Sequence, residues 1–411
     1  MVAKKPDQDV FLAPDSSDIE QQLRSLAPAD IVVGIPSYNE ADSIGHVVRQ
    51  ADIGIREYFS GSRGVVVNVD NSSPDGTREA FLTAGSRTPQ VYISTPEGLR
   101  GKGRNFYNLL QAASILDAKA VVAVDADLIS ITPQWIRNFA TPLVDEGYDY
   151  ITPLYARNEY DGSITNHICY PLLYGLLGKD IRQPIGGDFG FSVRFARHLL
   201  ERKWQESTFE YGIDIFMTLN ALLGDFSVAQ TTLGAKVHKP SAPKLGPMFS
   251  QVVNTLFTYL VRHPDRWSLT GQTYQLPRLD GIDVLEPQGL ALDYKAIKRT
   301  ALHQYDSARD RLARYLTPES NGGLEDLVAT GRMRLGPTLW SHIVYDLLNS
   351  FGNGRGRARA SVVEALKSVF FLRAASFYRR TLDMDHAESE SKIEKQARVF
   401  RRERKRLAEK A

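Results

Sequence analysis

The strongest constraint in this chain is a repeated unit. Short runs of β-branched residues end in polar side chains, and each is followed by a helical pattern. Ile31-Val32-Val33-Gly34-Ile35-Pro36, Gly64-Val65-Val66-Val67-Asn68-Val69-Asp70, Val91-Tyr92-Ile93-Ser94 and Ala120-Val121-Val122-Ala123-Val124-Asp125 read as strands. Continuous apolar runs bounded by breakers fit strands buried on both faces. Between them, Ile44, Val47, Val48 and Ala51 share one helical face, Thr77 to Ala84 follows an Asp75-Gly76 turn, and Arg104 to Leu116 carries Phe106, Leu109, Leu110 and Ala113. Alternating strands and helices with tight loops predict a parallel α/β sheet covered on both faces. Ligands of such sheets lie at the carboxyl ends of the strands. Those ends read Tyr38-Asn39-Glu40, Asp70-Asn71 and Asp125-Ala126-Asp127.

The expected organisation is a mobile arm over 1–28, an α/β domain over 29–245 and a mainly helical region over 246–411. In the last region, Val252 to Val261, Trp340 to Leu348 and Val362 to Tyr378 read as amphipathic helices, and Gly352 to Gly356 as a flexible break. Phe370, Phe371 and Phe377 are expected to pack either internally or against a second copy in a homodimer. Lys392 to Lys410 holds nine Lys/Arg and three Glu and reads as a solvated basic helical tail. The whole chain balances 50 Lys+Arg against 48 Asp+Glu, so charge gives no general reason to bind nucleic acid. One cysteine, Cys169, excludes an intrachain disulfide or a zinc cluster built on thiolates. The polar start and the lack of an apolar window of about 18 residues argue against a signal peptide or membrane span. The expectation is a cytoplasmic protein.

Two carboxylates at i and i+2 share one face of an extended strand. If the strand runs to Asp127, then Asp125 and Asp127 reach one hard divalent cation, Mg²⁺ or Mn²⁺, which takes oxygen ligands and bridges to diphosphate. Asp70 ends its strand and is placed to accept hydrogen bonds from a nucleobase or ribose. Asp75-Gly76 reads as turn chemistry. Arg100-Gly101-Lys102-Gly103-Arg104 sets cations in a Gly-rich loop at a helix start, where backbone N–H groups approach phosphates. It lacks the spacing of a Walker P-loop. His238, in Ala235-Lys236-Val237-His238-Lys239, gains interest as a nitrogen ligand only beside the acidic triplet.

Together these pieces resemble a GT-A glycosyltransferase, with a Rossmann-like nucleotide-sugar-binding domain followed by helices. Ile35-Pro36-Ser37-Tyr38-Asn39-Glu40, Val69 to Thr77 and Asp125-Ala126-Asp127 carry the class. Arg100-Gly101-Lys102-Gly103, Pro184-Ile185-Gly186-Gly187-Asp188, Tyr211-Gly212-Ile213-Asp214 and Val237-His238-Lys239 are similar to the mannosylglycerate and glucosylglycerate synthases. The resemblance implies a nucleotide-sugar site of Pro36, Tyr38, Glu40, Asp70, Lys102, Asp125, Ala126 and Asp214. It implies a metal held by Asp127 and His238 with Asp125 nearby, and catalysis by Lys102, Asp127 and Asp214. It places the acceptor on Arg157, Thr165, Ile185 and Gly186. Tyr211 and Asp188 depart from the Trp and Glu that a mannosylglycerate enzyme can have, which leaves the sugar open.

The expected function is a retaining, metal-dependent transfer of glucose or mannose from a GDP- or UDP-linked donor to D-glycerate, making a compatible solute. The alternatives are a 3-phosphoglycerate or polyprenyl phosphate acceptor, a sugar nucleotidyltransferase, or a non-catalytic nucleotide-sugar binder.

Overall fold

The computed structural model describes residues 13–158, 160–239, 244–267, 272–282, 287, 293–331 and 334–408. The chain forms two compact units. The sheet unit comprises Met1–Ala156, Ile185–Pro240 and Leu276–Leu285, and the helical unit comprises Arg157–Pro184, Ser241–Gln275 and Glu286–Ala411. Residues 157–184 thus interrupt the sheet unit and belong to the helical one.

The described strands, in chain order, are β1 (Ile31–Ser37), β2 (Gly64–Asp70), β3 (Gln90–Ser94), β4 (Ala120–Ala123), β5 (Tyr150–Ala156), β6 (Lys179–Asp180), β7 (Phe189–Ser192), β8 (Val228–Ala235), β9 (Tyr274–Gln275) and β10 (Arg278–Ile282). The sheet unit holds eight of them in the order β10-β8-β5-β7-β4-β1-β2-β3. The four runs read as strands pair in parallel, with Ser37 opposite Asp70 and Asp70 opposite Ser94. This register lines up the polar ends of β1, β2 and β3.

β7 departs from the all-parallel expectation. It runs antiparallel to both β4 and β5, with Phe189 opposite Ala123 and Ser192 opposite Ala120. An antiparallel strand begins where its neighbours end. The residue before it, Asp188, is therefore delivered to the carboxyl end of β4.

Period-two alternation divides β1 between two faces. Ile31, Val33 and Ile35 join a buried cluster with Val47, Val48, Trp135, Ile136 and Phe139, from helices Ile44–Tyr58 and Pro133–Asp145. Gly34 faces Leu109, on the helix Lys102–Ile115, whose Phe106, Leu109 and Leu110 are fully buried. Each such side chain contributes about 1.5–3 kcal/mol on burial. Residues 13–28, expected to be mobile, include a helix, Ser16–Leu26, anchored by buried Ile19 and Leu23.

The helical unit is built on Leu245–Arg262, Pro337–Asn353, Arg357–Thr381 and His386–Glu403; the first three extend at both ends beyond the stretches read from the sequence, and the fourth begins before Lys392 and ends at Glu403. Phe370 and Phe377 are buried within it. The expected basic tail is not wholly solvated: Ile393, Gln396, Ala397, Phe400 and Arg401 are buried. A capping box, Asp385 with Glu388, starts that helix. Two π-helical turns, Thr165–Cys169 and Leu173–Leu177, flank Tyr170–Leu172. Among the described residues no helix is long and apolar enough to cross a membrane.

Candidate active site

The carboxyl ends of β1, β2, β4 and β8, with the start of β7, gather a buried network of charge. β4 stops at Ala123, and Asp127 lies in the turn beyond it. The expectation that both acids share one strand face therefore fails, and the two carboxylates meet different partners. Asp125 is clamped by two ammonium groups: Lys102 Nζ is 3.0 Å from Oδ1 and Lys236 Nζ is 3.2 Å from Oδ2. Burial opposes the Asp125 charge, yet Lys102 and Lys236 outweigh it and hold its carboxyl well below the usual range. Asp127 goes the other way, raised by burial and by the neighbouring Asp125 charge.

Asp188 explains the shape of this cluster. Its Oδ1 accepts the Asp125 backbone N–H at 2.8 Å. Its Oδ2 accepts from Lys236 at 2.7 Å and from the Tyr155 hydroxyl. Lys236 Nζ also donates to the Gly186 carbonyl at 2.9 Å. Gly187, at φ 93°, must be glycine here, because a Cβ would lie 2.5 Å from Asp125 Oδ2 and 2.9 Å from Lys236 Nζ. Sequence reading gave Lys236 no role. Its signal is its place two residues before His238, past the end of β8.

Lys102 begins its helix and reaches across to Asp125, to the Gly187 carbonyl at 3.2 Å and to Asp214 Oδ1 at 3.4 Å. Burial alone would lower its ammonium pKa; the charges of Asp125 and Asp214 raise it above the ordinary lysine value. The Asp214 contact is an ion pair too long and poorly aligned for a good hydrogen bond, so this buried oxygen is weakly served. Burial, reinforced by Asp125, raises the Asp214 carboxyl despite Lys102. Gly103 serves packing rather than phosphate approach: its Cβ would stand 1.9 Å from the Thr208 carbonyl oxygen, and its N–H donates to the Glu210 carbonyl at 3.1 Å.

The nucleoside side is equally tied. Asp70 is fully buried and accepts from Ser37 Oγ, Ser73 N and Ser73 Oγ, each at 2.7 Å, and from Tyr92 Oη at 2.9 Å. Pro36 is buried in β1, Ala126 is buried beyond β4, and the Arg100 guanidinium stacks over the Tyr38 ring at 4.6 Å. Lys239 joins the segment after β8 to the loop after β1, with Nζ 2.7 Å from Glu40 Oε2 and 2.8 Å from Asp42 Oδ1. Burial lowers and the two acids raise its pKa, the net being a rise to about 12. The Lys239 N–H also donates to Asp127 Oδ2 at 3.3 Å.

Among the described residues no group of three or more imidazole, thiolate or carboxylate side chains is arranged to hold a metal. The expected convergence of Asp125, Asp127 and His238 is not formed, because Asp125 turns to the two lysines. Asp127 and His238 do interact electrostatically. His238 Nδ1 lies 2.7 Å from the Lys239 carbonyl oxygen, so Nδ1 carries the proton and Nε2 the lone pair of the neutral ring. A raised carboxyl and an imidazole with that tautomer are a donor set that fits a divalent cation.

The expected acceptor residues divide between the units. Ile185 is half-buried in the sheet unit and the Gly186 carbonyl is taken by Lys236. Arg157 and Thr165 belong to the helical unit. There they line a polar hollow with Arg182, Gln183 and Glu390.

Residues 32–202 match the model of glycosyl transferase family 2. Most of the match lies within the sheet unit, whose mixed α/β sheet is the part of the chain that resembles this family. The chain is also similar to solved structures of glucosyl-3-phosphoglycerate synthase from Mycobacterium tuberculosis. One, with Mg²⁺ and UDP, is 25% identical at a TM-score of 0.46, over 58% of this chain and 83% of that one. Another, with Mn²⁺, UDP and glucosyl-3-phosphoglycerate, has the same identity and coverage at 0.47. A structure described only as a mycobacterial protein is 27% identical at 0.45, over 58% and 78%. No curated protein matches. Within the sheet unit, Lys102, Asp125, Asp127, Asp188, Asp214 and Lys236 make one electrostatic unit at the end of the sheet where open α/β folds place their ligands.

Proposed function

We propose that the protein transfers a hexosyl group, glucose or mannose, from a nucleoside diphosphate sugar to D-glycerate with retention at the anomeric carbon. The observation that carries this reading is the buried Asp214 oxygen, whose ammonium neighbour, Lys102 Nζ, stands 3.4 Å away at the long limit of hydrogen bonding. A buried acceptor so weakly served gains from a further donor, which a hydroxyl of the donor sugar supplies.

Each group then has a task. Asp214 holds the sugar by its hydroxyls. Lys102 is a fixed cation beside the departing diphosphate, in a site dry enough for its charge to count. Asp188 and Lys236 hold Asp125 in place through its backbone and carboxylate. Pro36, Tyr38, Glu40, Asp70, Asp125 and Ala126 frame the nucleoside and ribose. Asp127 and His238, with Asp125 nearby, hold Mg²⁺ or Mn²⁺, which when bound supplies neutralising charge for the leaving diphosphate. Arg157 offers the acceptor carboxylate a planar pair of donors, and Thr165 serves its hydroxyls. The anomeric C–O bond to phosphate breaks as the bond to the acceptor oxygen forms on the same face. The departing phosphate oxygen takes the acceptor proton, so no protein base is required.

The test is a donor panel of UDP-glucose, GDP-glucose and GDP-mannose with purified protein, Mg²⁺ or Mn²⁺, and D-glycerate. The expected products are a nucleoside diphosphate and a hexosylglycerate with retained configuration, read by NMR. Release of pyrophosphate from a nucleoside triphosphate and a sugar phosphate, with no turnover in the panel, overturns the reading.

A further inference from the structure

The hollow of the helical unit carries its own electrostatic logic. Two guanidiniums line it, and each is matched by a carboxylate. Arg157 Nε donates to Asp161 Oδ2 at 2.7 Å. Arg182 makes a two-point fork with Glu390: Nε to Oε2 at 2.8 Å and Nη2 to Oε1 at 2.7 Å. The Arg182 side chain is 10% exposed and that of Glu390 29%, so the pair sits in a partly dry place where charge is weakly screened. The guanidinium lies over the Tyr170 ring at 5.3 Å, which fixes its plane. Glu394, one helical turn beyond Glu390, adds a second negative field at Arg182. The neutral lining, Thr165, Asn166 and Gln183, is buried and rich in hydrogen-bonding groups.

A pocket built to take phosphate leaves a guanidinium fork open to it, because the fork matches phosphate oxygens in pairs. Here two donors of the more buried guanidinium, Nε and Nη2, are taken by a carboxylate of the same chain. A carboxylate ligand adds one negative charge to this lining. A phosphorylated one adds that charge and about 1.5 to 2 more, close to Glu390 and Glu394. Like charges brought together in a poorly screened site are a strong means of rejection.

We propose that Glu390, by occupying Arg182, makes this hollow select small hydroxy acids of single negative charge and reject their phosphorylated forms. The proposal rests on the acceptor reading above and deepens it: glycerate is admitted and 3-phosphoglycerate is refused. Glu390 acts through Arg182 and is a specificity-determining residue, not a catalytic one.

The experiment is calorimetric titration of the full chain, wild type and Glu390→Gln, with D-glycerate, 3-phosphoglycerate and inorganic phosphate at fixed low salt. Wild type is expected to bind glycerate in preference to 3-phosphoglycerate. E390Q is expected to gain roughly tenfold or more in affinity for 3-phosphoglycerate and for inorganic phosphate, with glycerate within about threefold of wild type. Thermal unfolding of both proteins runs in parallel, because a purely structural staple moves the melting temperature and leaves the ligand ratio alone. Should E390Q not fold, Glu394→Gln leaves the fork intact and is expected to shift the same ratio by about two- to threefold. An unchanged ratio overturns the proposal, as does a wild type that prefers 3-phosphoglycerate. Sugar transfer is followed on the same samples. Wild-type transfer to neither acid removes the acceptor reading, while the phosphate titrations of wild type and E390Q still decide the role of Glu390.

Discussion

At the carboxyl ends of the sheet unit, the ammonium groups of Lys102 and Lys236 serve Asp125, Asp188 and Asp214, with Asp127 left over. In the hollow of the helical unit, Arg157 and Arg182 each have a carboxylate of their own. Both places bury charge, but the first gathers four acids around two ammonium groups, whereas in the second each guanidinium has a carboxylate of its own and Glu394 adds its field at Arg182. The surplus is visible in the carboxyls themselves: burial and Asp125 raise Asp127 and Asp214. A site that keeps like charges together, against their repulsion, is a site arranged for something that arrives later. A matched pair needs no visitor to balance it, and on the proposed reading its effect is to disfavour a ligand that brings more than one negative charge. On the proposed reading, the stoichiometry of buried charge separates the site for a cation and a sugar from the one that filters its ligand.

The largest effect that sharpens this contrast is expected from Lys236→Met. Lys236 is the cation shared by Asp125 and Asp188, and its side chain is 3% exposed. Removing one partner of a buried pair leaves uncompensated charge and costs about 3–5 kcal/mol, read as a fall in denaturant midpoint. A loss below about 1 kcal/mol breaks the view of Lys236 as the fixed cation of the cluster. Asp127→Ala comes next. It takes away the leftover acid without touching either lysine, so the fold should melt near the wild-type temperature. Turnover in the donor panel should fall by roughly 10²–10³-fold, with the dependence on Mg²⁺ or Mn²⁺ lost. Wild-type turnover with intact metal dependence removes Asp127 from the metal.

How much of this was legible beforehand depends on how local each determinant is. The β-branched runs ending at Ser37, Asp70 and Ser94 carry their own strand signal, and the helices follow from spacing alone. The polar strand ends therefore pointed to the end of the sheet where the buried charges gather. The four-residue strand Phe189–Ser192 has no such run, and its direction is set by its neighbours β4 and β5. The delivery of Asp188 to Asp125 was hidden for that reason. The turn after Ala123 was hidden too, since nothing in Val124-Asp125-Ala126-Asp127 marks where the strand stops. Asp70 was singled out as a strand-end acid, but its environment was not legible: two serines and a tyrosine already satisfy its carboxylate. The basic run from Lys392 masked a helix with a buried stripe, because its apolar positions are few and its buried Gln396 and Arg401 read as surface. Ion pairs such as Arg182 with Glu390 join residues 208 apart in sequence and leave no local trace.

The helical unit offers the milder tests of its matched charges. Asp346 is buried and accepts from Thr317 N at 3.1 Å and Thr317 Oγ1 at 2.8 Å, with Arg406 Nε 3.4 Å away. Burial opposes its charge, but hydrogen bonds from Ser320 and Thr317 with the Arg406 charge lower its pKa below the ordinary aspartate value. A carboxyl lowered on folding stabilises the fold above the unfolded value, near 3.9, and loses that contribution as pH falls through the folded one. Asp346→Asn should cost about 1.5–3 kcal/mol at neutral pH. The difference from wild type should close only below about pH 4, in urea titrations at stepped pH. A difference that persists undiminished at pH 2 to 3 shows that packing, not charge, holds this position.

The smallest effect is expected at Asp385, the cap of the helix that carries Glu390. Its side chain accepts the Glu388 N–H at 2.8 Å, and Glu388 Oε2 accepts the Asp385 N–H at 3.1 Å. Both partners are exposed, so Asp385→Ala should lower stability by only about 1 kcal/mol, seen as a small drop in Tm. The informative part is what else moves. Glu390 stands five residues beyond the cap, and the buried stripe Ile393, Ala397 and Phe400 anchors the helix further on. If that stripe sets where Glu390 stands, D385A keeps the wild-type ratio of glycerate to 3-phosphoglycerate affinity. If the first turn sets it, the ratio falls toward that of E390Q although no charge has left the hollow, and the filter is then a property of helix register as much as of the Arg182–Glu390 pair.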